Sequence, residues 1–126
     1  MYAEKSNVCS GGPRLIFACS GAADVGAITD QAARKVQRSK TAYMSCMAAI
    51  GAQIPDIMDT ARSAKKILVI DGCEKECGRV CFEKAGFKDF IHLQIGRDMG
   101  MEKRKTPPTE ERVAAVAEKA IGLFSS

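Results

Sequence analysis

The chain has 126 residues, with 19 Lys and Arg against 15 Asp and Glu and a net charge of +4. That length suits one compact domain, which buries roughly two-thirds of its unfolded surface and folds without disulfide staples. Positive residues are scattered apart from Lys103, Arg104 and Lys105, which argues against nucleic acid as a partner, because its readers concentrate basic residues on one face and often add stacking aromatics.

Residues 1–12 are polar and Gly-bearing, so a flexible N-terminal arm is expected there, followed by a single domain over residues 13–126. No apolar segment of a secretory signal follows Met1. The longest apolar runs, such as residues 67–70, are far too short to span a bilayer. A cytoplasmic protein with no membrane partner is therefore expected. Thiols stay reduced in that compartment, so six cysteines point to metal ligation or redox chemistry before structural disulfides.

Leu15, Ile16, Phe17 and Ala18 form a continuous apolar run that fits a buried strand, and Ser20 and Gly21 end it. A helix is expected over about 22–38, with Val25, Ile28, Ala32 and Val36 at helical spacing. A second strand is expected over 43–46. Pro55 can open a helix, since its missing N–H is free in the first turn anyway, and Ile57, Met58, Ala61 and Ala64 give that helix an apolar face. Residues 66–70 are the clearest strand, ended by Asp71 and Gly72. A helix over about 74–85 should stop at Gly86, a C′ position. Residues 90–95 make a fourth strand, and 96–108 form a long connector. Thr109 is a candidate N-cap for the last helix, with Glu110 and Glu111 suited to its positive start.

The resulting βαβαβαβα order argues for an α/β fold: three layers, a mostly parallel four-stranded sheet with helices on both faces, in the manner of Rossmann-like or flavodoxin-like repeats. Ligands of such sheets gather beyond the carboxyl ends of the strands. Cys19 and Cys46 end the first two strands, Cys73 follows the third, and Cys77 should lie one helical turn past Cys73. Four thiols at one sheet edge suit zinc, which favours four tetrahedral ligands and accepts thiolate sulfur well; an iron–sulfur cluster accepts the same set. Cys19 and Cys73 precede helix starts, where orphan N–H groups favour thiolate. Cys81 is expected in core packing. Cys9 lies in the arm, with its role open between further ligand and free thiol.

The residues also carry a resemblance. The Asp71, Gly72, Cys73 triplet continuing to Cys77, residues 17–26 (FACSGAADVG), 46–51 (CMAAIG), 83–87 (EKAGF) and 99–103 (MGMEK) together resemble the DGC-domain family. The resemblance implies zinc held by four cysteines, which fall on Cys19, Cys46, Cys73 and Cys77, and it supplies no reaction. One departure is visible: Gly78, Arg79, Val80 and Cys81 stand where the family usually has Ala-Lys-Lys-Thr, which adds a thiol near the site.

Three functions compete at this point. A closed zinc–tetrathiolate centre is usually structural, and Lys75 and Arg79 are placed to offset its negative charge. The same cysteines would also serve thiol-based redox, sulfur transfer or metal sensing, with Cys9 or Cys81 as a resolving thiol and residues 96–108 as a lid. A remote third is a phosphatase-like C-x5-R loop from Cys73 to Arg79, which Glu74 and Glu76 oppose by repelling phosphate. His92 stands alone in its strand and suggests no ligand. Asp71 is a candidate acceptor behind the site, a general base, or simply a turn organiser.

Overall fold

The computed structural model describes residues 12–125. In chain order it contains β1 (Arg14–Ala18), α1 (Asp24–Arg38), β2 (Tyr43–Met44), α2 (Met47–Ala52), α3 (Pro55–Arg62), β3 (Lys66–Asp71), α4 (Cys77–Lys84), β4 (Ile91–Gln94), α5 (Ile95–Met99) and α6 (Glu110–Ser125). The four strands form one parallel sheet in the order β2-β1-β3-β4. That order follows the first four strands of the flavodoxin-like arrangement. The expected three-layer α/β architecture is therefore present, with the sheet wholly parallel. The expected arm, apart from Gly12, and Cys9 within it lie outside the described residues. Among the described residues no helix is long and apolar enough to cross a membrane.

Strand alternation sends successive side chains to opposite faces and so builds two cores. Ile16, Ala18, Leu68, Ile70 and Leu93 meet Val25, Ile28 and Val36 of α1 and Val116, Ala120 and Phe124 of α6. Leu15, Phe17, Ile67 and Val69 meet Ile50 of α2, Met58 of α3 and Phe82 of α4 on the other face. The centre of the sheet is covered on both sides, which is why β1 and β3 read as unbroken apolar runs.

Local signals of the sequence set several element ends. Pro55 is the first residue of α3. Thr109 Oγ1 accepts the Arg112 N–H and so caps α6. At the end of α4, Gly86 takes φ +95°, its N–H donates to Glu83 O at 3.1 Å, and the Phe87 N–H donates to Phe82 O at 3.0 Å. These are the paired bonds of a Schellman motif, and the Phe82–Phe87 ring contact at 5.1 Å supplies its usual apolar clasp.

Three elements differ from their sequence expectation. β2 has two residues instead of four, because Cys46 turns the chain into α2 as its N-cap. The strand expected over 90–95 stops at Gln94, whose side chain caps α5 within the long connector. The helix expected from 74 begins at Cys77, because Glu76 is left-handed at φ 52°, ψ 49°.

Candidate functional site

β1 is followed in sequence by β2 on one side and flanked by β3 on the other. A crevice opens between strand ends at such a reversal, and that is where sheets of this kind bind ligands. Cys19 directly follows β1, and Cys73 lies two residues past the end of β3. The Cys19 N–H donates to Ile70 O at 2.9 Å, which carries the β1–β3 pairing one residue past the strand. Thr29 Oγ1 donates to the Cys19 carbonyl from α1 and fixes the turn from above. Cys46 is exposed at the start of α2, and Cys77 is exposed as the first residue of α4.

Two clefts meet at this edge. One, of about 750 Å³, is lined by Cys19, Cys46 and Cys77 together with Met44, Met47 and Arg34. The other, of about 420 Å³, is lined by Cys19, Cys73 and Cys77 together with Lys75 and Lys103. Cys19 and Cys77 belong to both, so the four cysteines singled out by the sequence border one stretch of the sheet edge. Among the described residues no three His, Cys, Asp or Glu side chains stand close enough together to hold a metal ion. The donor chemistry suits a thiophilic ion: four sulfurs, on Cys19 just past β1, on Cys46 at the start of α2, and on Cys73 and Cys77 across the turn between β3 and α4.

The expected acidification of Cys19 is not found. Burial pushes its thiol pKa up, the hydrogen bond from the Gly21 backbone pulls it down by less, and negative charge at Asp71, Cys77 and Cys73 adds to the rise. Desolvation outweighs the single backbone hydrogen bond to its sulfur. Cys81 also departs from expectation. It is half-buried and faces α2, where a β-carbon at Gly51 would lie 3.6 Å from its Sγ. Phe82, not Cys81, is the α4 side chain that enters the core. Burial raises the Cys81 pKa, with Cys77 and Asp71 adding to it.

Asp71 is the most enclosed acid at the site, with no exposed surface. Its Oδ1 accepts the Gly78 N–H at 2.7 Å and its Oδ2 the Arg79 N–H at 2.9 Å. It thus caps α4 from the end of β3, and it fixes the residue next to Cys77. Oδ2 also lies 2.8 Å from His92 Nε2. His92 is therefore not alone. Parallel register pairs Val69 with His92 and Asp71 with Gln94, so alternation puts Asp71, His92 and Gln94 on one face. Of the roles considered for Asp71, organising the helix start is the one its bonds carry. Gly78 sits tightly behind this cap: a β-carbon there would meet Asp71 Oδ1 at 2.8 Å and Val69 Cγ1 at 2.9 Å.

A second polar cluster lies beside the cap. Glu76, between Cys73 and Cys77, is 8% exposed although charged. Its carboxylate accepts from Gln94 Nε2 at 2.7 Å, Arg79 Nε at 2.6 Å and Arg97 Nη1 at 3.0 Å. A left-handed non-glycine residue costs about 1–2 kcal/mol, which charge-assisted hydrogen bonds of this kind offset. Arg79 also binds Glu83 through Nη1. Arg79 is thus held by two carboxylates, Glu76 through Nε and Glu83 through Nη1. In the sequence, Glu76, Gln94 and Arg97 look like any solvent-facing polar residues, and nothing marks them as part of the site. The one available signal was a cap residue, Gln94, at a strand end.

Asp98 completes this cluster. Hydrogen bonds from the Arg97 side chain and the Gln94 backbone lower its pKa from 3.8 to about 2. A depressed carboxylate contributes stability that is complete above its unfolded value and lost as pH falls through its folded value. Unfolding free energy should therefore decline between the ordinary carboxylate range and about pH 2, and Asp98→Asn should flatten that limb in urea titrations across pH. The connector is anchored as well. Asp24 accepts the Arg104 and Thr106 N–H groups at 2.9 and 3.0 Å, so residues 104–106 lie pinned against the start of α1.

The DGC domain family model matches residues 15–120. The chain is also similar to the anaerobic and virulence modulator AnvM of Pseudomonas aeruginosa, with 33% identity over 90 residues that cover 71% of this chain and 68% of the relative. No solved structure matches.

Proposed function

The chain belongs to the DGC-domain family, and from that premise we propose that it binds a zinc ion through Cys19, Cys46, Cys73 and Cys77. The observation that carries this reading is the meeting of two clefts at Cys19 and Cys77, beside the β1–β3 crevice, with Cys46 and Cys73 lining one cleft each. Bound there, zinc would supply a closed tetrathiolate centre, formally −2 in charge, that links the ends of β1 and β3 to the starts of α2 and α4. Lys75 and Lys103, in the smaller cleft, offset that charge. Zinc would also favour the thiolate of Cys19, whose burial otherwise opposes it. The reading takes the protein as cytoplasmic, where thiols remain reduced.

Metal or thiol sensing by the same cysteines is the second reading. It is favoured by the exposure of Cys46 and Cys77 and by the similarity to a protein named as a modulator. Exposed thiolate ligands are open to oxidants, and their oxidation releases the metal.

Serine variants test the ligand set. Replacing any of the four cysteines should weaken zinc by more than about 100-fold, beyond the loss typical of supporting residues. Cys81→Ser should retain zinc. Competition with a chromophoric chelator reads both. Retention of zinc by all four single variants would remove the tetracysteine assignment.

A further inference from the structure

The three residues between Cys73 and Cys77 decide how those two thiols are presented. In a continuous helix, positions i and i+4 stack on one face. Here the Glu76 N–H donates to Cys73 O at 3.1 Å, closing a separate turn. Glu76 is then left-handed, and α4 starts anew at Cys77. Cys73 consequently lines the smaller cleft and a further one beside Gln94 and Arg97, whereas Cys77 lines the two clefts that hold Cys19.

Nothing local asks for glutamate at this position. Glu favours helix, and left-handed single residues are usually Gly, Asn or Asp. The cause is non-local. Glu76 is nearly enclosed, and two of its three donors, Gln94 and Arg97, come from the junction of β4 and α5. That junction is rigid in its own right. Gln94 Oε1 accepts the Arg97 N–H, and the Gln94 N–H donates to Asp98 Oδ2. Gly96 approaches the backbone that leads into Cys73, so that a β-carbon on it would lie 3.1 Å from Gly72 O.

We propose that Glu76 is a positioning residue for the cysteine site: its carboxylate, clamped by Gln94 and Arg97, holds the left-handed turn that sets Cys77 apart from Cys73. This rests on the tetracysteine reading and extends the site to residues outside the cysteine motif. It assigns the β4–α5 junction the task of fixing ligand geometry, as supporting residues do around metal centres.

The test uses the full chain and cobalt(II) alone as the probe. Thiolate-to-cobalt charge-transfer bands report ligation, and alkylation of each cysteine in metal-free protein, read by peptide mass spectrometry, reports presentation. Glu76→Ala should weaken cobalt by about tenfold or more and speed alkylation of Cys73 and Cys77 while Cys46 keeps its wild-type rate. Glu76→Gln, which keeps an acceptor, should recover part of both effects, and Arg97→Ala should shift them in the same direction as Glu76→Ala. A folded Glu76→Ala protein with unchanged cobalt affinity and unchanged alkylation would overturn the proposal. So would faster alkylation of every cysteine alike, which is the mark of general loosening. If Glu76→Ala does not fold, Glu76→Gln and Arg97→Ala, the latter altering a side chain 54% exposed, decide by the same two readings. Wild-type protein without thiolate–cobalt bands would sink the tetracysteine reading, and the alkylation pattern would still decide the role of Glu76.

Discussion

Replacing Asp71 with alanine should cost the fold about 3 kcal/mol, roughly 10 °C in melting temperature for a domain of this size. The carboxylate is fully buried and binds two backbone N–H groups at the start of α4 as well as His92. Its removal leaves the Gly78 and Arg79 N–H groups and the imidazole facing a dry gap, and each unsatisfied group costs about 1–3 kcal/mol. Asp71→Asn should lose less, since the amide oxygen still accepts one of the two N–H groups. Urea unfolding followed by circular dichroism measures both. A loss for Asp71→Ala within the range of ordinary surface substitutions, about 0.5 kcal/mol, would show that α4 does not depend on this cap.

Phe82→Ala should be at least as damaging, at about 4 kcal/mol. Phe82 has no exposed surface and is the hub of an aromatic cluster. Its ring stands edge-on to Phe17 at 4.8 Å and tilts against Phe87 at 5.1 Å and Phe90 at 5.4 Å. The cost combines lost burial with a cavity that the rings of Phe17, Phe87 and Phe90 cannot fill. It also removes the apolar clasp of the Schellman motif, so α4 would lose its C-terminal anchor. Phe82→Leu fills most of the space and should cost about 1.5 kcal/mol or less. Equal stability of the alanine and leucine variants would mean that filling this space contributes little to the fold.

Both effects converge on α4, the helix that presents Cys77. Asp71 fixes its first turn, Phe82 seats its buried face, and Glu76 sets where it begins. Cys77 is exposed, and the two backbone N–H groups that follow it are bound by Asp71. A rigid backbone under an exposed thiol is what a preorganised ligand requires.

The regular parts of this fold were legible because single residues announce them. The apolar runs of β1 and β3, the helical spacing of Val25, Ile28, Ala32 and Val36, Pro55, Gly86 and Thr109 each act through local physics. The placement of Cys19 and Cys73 at the sheet edge followed from the strand ends alone. What stayed hidden is non-local. α2 is six residues long, too short for a 3.6-residue period to show. Helix propensity at Glu76 makes the sequence read as a helix from 74, whereas the bonds that hold this residue left-handed come from Gln94 and Arg97, some 20 residues further on. His92 looked isolated because its partner Asp71 lies on the neighbouring strand. A helix face shared with Val80 and Ala85 suggests core packing for Cys81, but the core residue is the next one, Phe82.

The claim that unites these observations is that four of the six cysteines act together. Native protein produced with zinc and iron in the medium, assayed for bound metal and for reactive thiols in the same sample, tests it most directly. One zinc per chain with two titratable thiols, those of Cys9 and Cys81, is the expected result for a tetrathiolate centre. Metal-free protein with all six thiols reactive would contradict it.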